Sequence, residues 1–424
     1  MTFLVHQSYI RKRYLAHVQT MASNLYTCFF LCIFSGAVNA LFERVELHHG
    51  KVLVRHALAY ITAAKSGLTG TEIEDLLSCD DPVLDDVYQY WTPPIRRIPP
   101  LLWVRIKGDL AGYLVDRGAD GASVITWYHR QFIEAARARY LLSDEERTFT
   151  HQALSNYFLG VWANGRKKPY RTAEGEEKEA DRFVSQQPWR FEGSTKAKNY
   201  NYRKINELPY HLVLCNETDT LKREVLCNFT FLLTCLESSS LRDLMDEFDF
   251  ALDKIVDKDI QLVKEALQLS TFALVQHPAQ LSSQLLGRIQ TSDSEHIKVL
   301  LEQAQNPWRP CLLPSSVCLT SPGGPLVHSM SGHEKPSSAL SASADGKLIA
   351  SASTDTTCLI WEVNSGRLVR TLEGVGKRSV GVIVNNYWMR FFFLHYPIVN
   401  TSASQFCRII KVEVGVISRS RSQG

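Results

Sequence analysis

Residues 371–378 come nearest to a loop that could grip a phosphate, and they fail the chemistry. Such a loop needs Gly-x-x-x-x-Gly-Lys-Ser/Thr, because backbone amides must wrap the phosphates while the hydroxyl holds magnesium. Gly376-Lys377 supplies the central pair, but Thr371 stands where the first glycine belongs and Arg378 where the hydroxyl belongs. No Gly-x-Ser-x-Gly elbow, pair of catalytic carboxylates or metal-ligand cluster offers another reaction. The ten cysteines are scattered. Cys311 and Cys318 have no second pair or nearby histidine, and Cys28 and Cys32 sit in an apolar run, so neither zinc nor a disulfide framework is implied. Reduced, mostly buried thiols point to a cytoplasmic chain, and the missing catalytic motifs and phosphate-binding loop to one that is not an enzyme and carries no cofactor of its own. A formal net charge of +3 over 424 residues is too small to imply nucleic acid or an anionic membrane as partner.

One constellation has a structural logic. Gly332-His333 precedes a turn at Asp345-Gly346, the strand Lys347–Ser351, a turn at Thr354-Asp355, the strand Cys358–Glu362 and the run Arg367–Leu372. Short β-type runs between aspartate-bearing turns predict an antiparallel meander. With its Gly-His and Trp-Glu markers, 331–374 resembles a WD repeat, Glu362 replacing the usual aspartate. That resemblance implies that His333, Ser351, Asp355 and Trp361 form a hydrogen-bond network tying turn to strand, as fold residues rather than catalytic ones. A propeller needs about 4–8 blades, and one is recognisable. Beyond Leu372-Glu-Gly374 the next Gly-His is replaced by Val375-Gly-Lys. The chain therefore reads as the entry to a propeller (306–374) in a truncated or alternatively spliced product, followed by an irregular tail at 375–424.

The elements upstream read differently. Val52, Leu53, Ala57, Leu58 and Ile61 recur at helical spacing, and Gly67 closes that helix. Thr69-x-x-Glu72 is a capping box for a second helix carrying Ile73, Leu76 and Leu77. Prolines 93, 94, 99 and 100 separate it from a third helix lined by Leu101, Leu102, Val104, Ile106 and Leu110. Tyr113–Arg117 and Ser123–Trp127, joined by Gly118-Ala-Asp-Gly121, predict a hairpin, and a helix follows over 130–142. Three helices and a hairpin outline a winged-helix domain at 41–145. A short helix is expected over 151–162, then a solvated linker or long loop at 164–201. Helix pairs should fill the rest of 146–305, with Ile260, Val263, Leu267 and Leu274 on one face. The fold class is thus α+β and multidomain: winged helix, α-helical segment and partial WD40 propeller.

Trp127-Tyr-His129-Arg-Gln-Phe132-Ile-Glu134-Ala-Ala resembles the end of the winged-helix domain in NACHT-type signalling ATPases, which are of the STAND/NLR-like kind. In that family the histidine reaches the β-phosphate of bound ADP, so the resemblance marks His129 as a candidate phosphate sensor. The bland alternative is a histidine satisfied at a hairpin–helix junction. Leu208-Pro-Tyr-His-Leu212 and the WD array after it suit the NACHT and WD repeat-containing proteins. Nucleotide control, with ATP or ADP, would then reside only in a full-length form that has a phosphate-binding loop.

Two further expectations concern partners. Other proteins are the expected partners of a non-catalytic scaffold of this kind. The alternative is nucleic-acid binding, since Arg96, Arg97, Arg105 and Lys107 lie near the third helix, where a reader helix would sit. Against it, that helix is dominated by apolar residues. Residues 1–40 read as an irregular N-terminus. Arg11-Lys12-Arg13 followed by a charge-free run over 20–42 leaves membrane anchoring as an alternative to a cytoplasmic location.

Overall fold

The computed structural model describes residues 36–89, 93–172, 175–191, 199–289, 293–306, 311–324, 326, 330, 332–363, 366–373 and, as backbone strands only, 379–385, 388–393 and 414–415. The chain divides into two compact units. One takes residues up to Ser238 together with Asp249–Val256, and the other takes Ser239–Phe248 and everything from Asp257 onward.

In the first unit, helix α1 (36–49) buries Val38, Leu41, Phe42 and Val45, an i, i+3, i+4, i+7 stripe. Residues 36–40 are therefore part of a packed helix rather than the irregular N-terminus expected from their composition. The earlier part of the apolar run, residues 20–35, lies outside the described residues. Helix α2 (Lys51–Ala63) buries nine consecutive or near-consecutive side chains. That near-continuous burial fits a central helix, and it packs against helices α3 (Gly70–Cys79), α4 (Asp81–Val87), α6 (Arg130–Tyr140) and α7 (Asp144–Leu159) and against strand β2 (Ala122–Trp127). The capping box at Thr69 forms as its sequence predicts: its hydroxyl accepts the Glu72 amide and Glu72 accepts the Thr69 amide. Helix α5 (Pro100–Asp109) starts on proline and turns Trp103 and Ile106 inward. Strands β1 (Leu114–Ala119) and β2 form a hairpin across the two-residue turn Asp120-Gly121, both at positive φ, which Asp-Gly accommodates at low cost. Trp127 closes this layer, with its ring 5.6 Å from Phe42 and its Nε1 donating to Thr62 Oγ1 at 3.0 Å.

Helix α7 begins at Asp144, seven residues ahead of the predicted start at 151. Ser143 and Glu146 form a second capping box, and the first turn behind it is polar, so hydrophobic periodicity gives no sign of it. Residues 164–201 are not a plain linker or long loop. Strands β3 (Lys167–Arg171) and β4 (Glu177–Asp181) pair as one hairpin, and β5 (Arg190–Phe191) pairs with β6 (Asn199–Tyr200). Behind β4, Arg182 is fully buried and donates to Asp81 at 2.6 Å, and the Arg96 guanidinium lies 3.8 Å over the Tyr170 ring. These anchors are charged residues meeting partners far away in the sequence, so no local apolar pattern marks them. Helices α8 (Tyr202–Leu214), α9 (Thr218–Leu221) and α10 (Phe229–Ser238) complete the layer, α8 lying along α7.

The second unit holds helices α12 (Lys258–Leu269), α13 (Thr271–Gln276), α14 (Leu281–Ile289) and α15 (Glu295–Gln305), after α11 (Leu241–Leu252), which contributes residues to both units. Ile260, Val263 and Leu267 are buried along α12, the face their spacing predicts, whereas Leu274, also buried, belongs to α13, because the helix breaks at Ser270. A four-stranded antiparallel meander follows, in the order β10 (Leu368–Leu372), β9 (Cys358–Glu362), β8 (Leu348–Ser353), β7 (Ser337–Ala342). Its small core is Ala350, Ala352, Cys358 and Ile360. The expected irregular tail is partly sheet: β11 (Ser379–Asn385), β12 (Trp388–Phe393) and β13 (Val414–Gly415) pair antiparallel, and β11 runs beside β7 and β8. The β-branched run Val380-Gly-Val-Ile-Val384 and the aromatic run of β12 favour strand pairing.

Candidate functional site

Within the meander, the chain brings His333, Ser351, Asp355 and Trp361 together. His333 Nδ1 lies 3.0 Å from Asp355 Oδ2, and its Nε2 lies 2.8 Å from Ser351 Oγ. Trp361 Nε1 donates to the same hydroxyl at 2.8 Å. One proton order that satisfies every group runs Trp361 N–H to Ser351 Oγ, Ser351 O–H to His333 Nε2, and His333 Nδ1–H to the Asp355 carboxylate. Burial works to raise the Asp355 carboxyl, but the Thr357 hydroxyl and amide, the Glu334 amide and His333 together hold it well below the usual carboxylate range. The residue types are those of a serine–histidine–aspartate triad. Here, however, Ser351 is only 4% exposed and its oxygen already accepts the indole proton, so no substrate carbonyl can approach it. What this chain of bonds can do is tie the loop before β7 to strands β8 and β9.

His129 sits in the first unit, in a different setting. It is exposed and caps α6, its Nδ1 accepting the Gln131 amide at 3.3 Å. The basic residues near α5 are also placed. Arg96 pairs with Asp81 and Asp85, Arg97 with Asp75, and Lys107 with Asp116 at 2.9 Å. Trp103 and Ile106 are core, while Leu101 and Val104 are 55% and 56% exposed beside Arg105. The outward face of α5 thus sets Leu101 and Val104 among the charged Arg105, Lys107 and Asp109. Among the described residues no group of three or more His, Cys, Asp or Glu side chains is placed to hold a metal ion, and no helix is long and apolar enough to cross a membrane.

Residues 32–148 match the family model for an NWD1-like, winged helix-turn-helix domain, and residues 324–362 match the WD domain, G-beta repeat. Over 353 residues, 80% of this chain, the sequence is 36% identical to the human NACHT domain- and WD repeat-containing protein 1, and the mouse protein of that name is equally similar over 352 residues. The chain is a homologue of the NACHT and WD repeat-containing proteins. A more distant relative is the human NACHT and WD repeat domain-containing protein 2, 31% identical over 279 residues, or 60% of this chain and 16% of that protein. The chain spans about a fifth of the length of the first relatives, 22% of each.

In this NACHT–WD relative, sequence reasoning missed a buried polar cluster that clamps α8 to the winged helix. Arg203 donates through Nε and Nη2 to Glu72 at 2.9 Å each, through Nη2 to the Gly67 carbonyl at 2.7 Å, and through Nη1 to Asp120 at 3.0 Å and Glu207 at 3.1 Å. Glu207 accepts the Lys65 and Ser66 amides at 2.9 and 2.8 Å and faces His211 Nε2 at 3.1 Å. Burial favours the neutral acid, yet His211, Arg203 and the Lys65 amide overcome it and hold Glu207 down to about 2. His211 in turn meets His151 of α7. The available signal was Arg203-x-x-x-Glu207-x-x-x-His211, an i, i+4 ladder on one helix face, but its partners on α3, the hairpin and α7 are fixed only by tertiary packing.

Proposed function

We propose that this chain is a non-catalytic protein-interaction module of a NACHT–WD repeat signalling protein, acting in the cytoplasm, with winged-helix and helical elements as the folded platform. The observation that carries the reading is the Trp361–Ser351–His333–Asp355 clasp, which makes 332–373 a pinned four-stranded repeat of the kind that presents surfaces to other proteins. The outward Leu101 and Val104 on α5 favour a protein contact there over a nucleic-acid groove, which demands a basic exposed face. His129 keeps the sensor role only where a phosphate-binding loop is supplied, so this chain by itself should not bind Mg-ATP or ADP.

The test compares proximity labelling around the tagged intact chain with labelling around Asp355→Ala. The expected outcome is a reproducible partner set that shrinks in the variant. No reproducible partners, or an identical set after the clasp is cut, would refute the reading. Calorimetric titration with ADP should give no saturable signal. A gel shift that weakens as salt rises would instead favour the winged-helix nucleic-acid alternative.

A further inference from the structure

Inside the first unit the rings of His151 and His211 meet nitrogen to nitrogen, Nδ1 to Nδ1 at 2.8 Å, with both side chains buried. A contact of that length holds a single proton, since one nitrogen must donate and the other accept. His211 commits its Nε2 to Glu207, and Glu207 is already matched by Arg203 and by the Lys65 and Ser66 amides. If both rings became imidazolium, two N–H groups would point at each other across 2.8 Å. The contact would have to break.

The neighbours make that second charge costly. Arg137 from α6 and Arg147 from α7 itself oppose it, and Glu207 from α8 favours it; Arg203 lies behind Glu207, and Tyr210 and Phe158 pack on the rings. Glu72 of α3 and Asp120 of the hairpin face the pair only through Arg203. We propose that the His151–His211 pair is an acid-released latch between α7 and α8, closed while the two rings share one proton across the contact and open when both are protonated. In agreement, burial and then the neighbouring His211, Arg137 and Arg147 push His151 down to about 3, whereas a solvated imidazole titrates near 6.5. The open form therefore takes up a proton that the closed form refuses. Opening gains about tenfold per proton for each pH unit below that value.

Hydrogen–deuterium exchange on the intact chain at pH 7.5 and 5.5, corrected for intrinsic exchange rates, reads the latch directly. Peptides from α7 and α8 should lose protection by about tenfold, while peptides from α12–α15 keep theirs. His151→Phe keeps an aromatic ring but no titrating nitrogen, and its α7 and α8 peptides should no longer respond to pH. Equal losses in wild type and His151→Phe, or no loss in wild type, would overturn the proposal. Should the variant fail to fold, ring ¹⁵N signals of the wild-type histidines decide. A coupled transition of both rings that coincides with the loss of protection supports the latch, and two independent titrations near pH 6.5 without that loss refute it.

Discussion

Asp355 accepts the Thr357 hydroxyl and amide, the Glu334 amide and the His333 ring. Replacing it with alanine leaves His333 and two amides without their acceptor. Each lost bond to a charged group is worth about 1.5–3 kcal/mol, and the losses within one network do not add, so Asp355→Ala should weaken the repeat by about 2–4 kcal/mol. Cys358 reports the change: its thiol is buried in the small β-sheet core and burial pushes it up to about 11. Alkylation of the Cys358 peptide should accelerate in the variant, and an unchanged rate would show that the clasp does not hold the sheet. At Arg203 the arithmetic differs because the group is buried. Arg203→Ala would strand Glu72, Glu207 and Asp120, a loss of about 3–5 kcal/mol for breaking a buried ion pair, seen as a lower urea midpoint. His129 is exposed and, among the described residues, is engaged by a local cap, so it should tolerate alanine with a change of about 1 kcal/mol.

At the scale of elements, local signals did their work where they were self-contained. The Thr69 box and the Pro100 helix start each depend on a few neighbouring residues and form where those residues stand, and the hairpin expected across Gly118–Gly121 forms with the tighter turn Asp120-Gly121, Gly118 and Ala119 pairing within β1. The Ser143 box is as local, but polar residues follow it, so a reading based on apolar periodicity starts the helix too late. Strands β3 and β4 carry no local signal, because alternating charges such as Glu177-Lys-Glu look solvated until Tyr170 meets Arg96 and Arg182. Gly67 joins two elements: its φ is +93°, and a Cβ there would lie 2.7 Å from the Ile125 carbonyl oxygen. Gly67→Ala therefore carries both left-handed strain and a clash with β2, and it should cost about 1–3 kcal/mol. A thermal midpoint equal to wild type would contradict that placement.

For the whole molecule, buried titratable groups set the pH range of stability. Burial opposes ionisation of Glu46, Asp81 and Glu207, but their hydrogen bonds and nearby cations hold all three below the ordinary carboxylate range. Their contribution is present above that range and is lost as pH falls through it. His151 acts earlier, because its depressed folded value disfavours the native state progressively below its ordinary 6.5. Burial raises Tyr60, Tyr140 and Tyr157 above their ordinary 10.0 and Cys79 to about 12, so their stabilisation is lost as pH rises past those ordinary values. The thermal midpoint should be highest between about pH 7 and 9, and a maximum near pH 5 would contradict the buried histidine pair.

The sequence by itself determined the class of protein and the repeat. The Gly-His and Trp-Glu markers, the aspartate turns and the winged-helix outline are local patterns, and the resemblance to a WD repeat that they carry implied the clasp residues. Only the tertiary structure decided which polar residues are buried. Arg203, Glu207, His211 and His151 look like solvated helix residues in one dimension. Their partners Glu72, Asp120 and the Lys65 amide come from other elements, and a charge survives burial only when such distant groups converge on it.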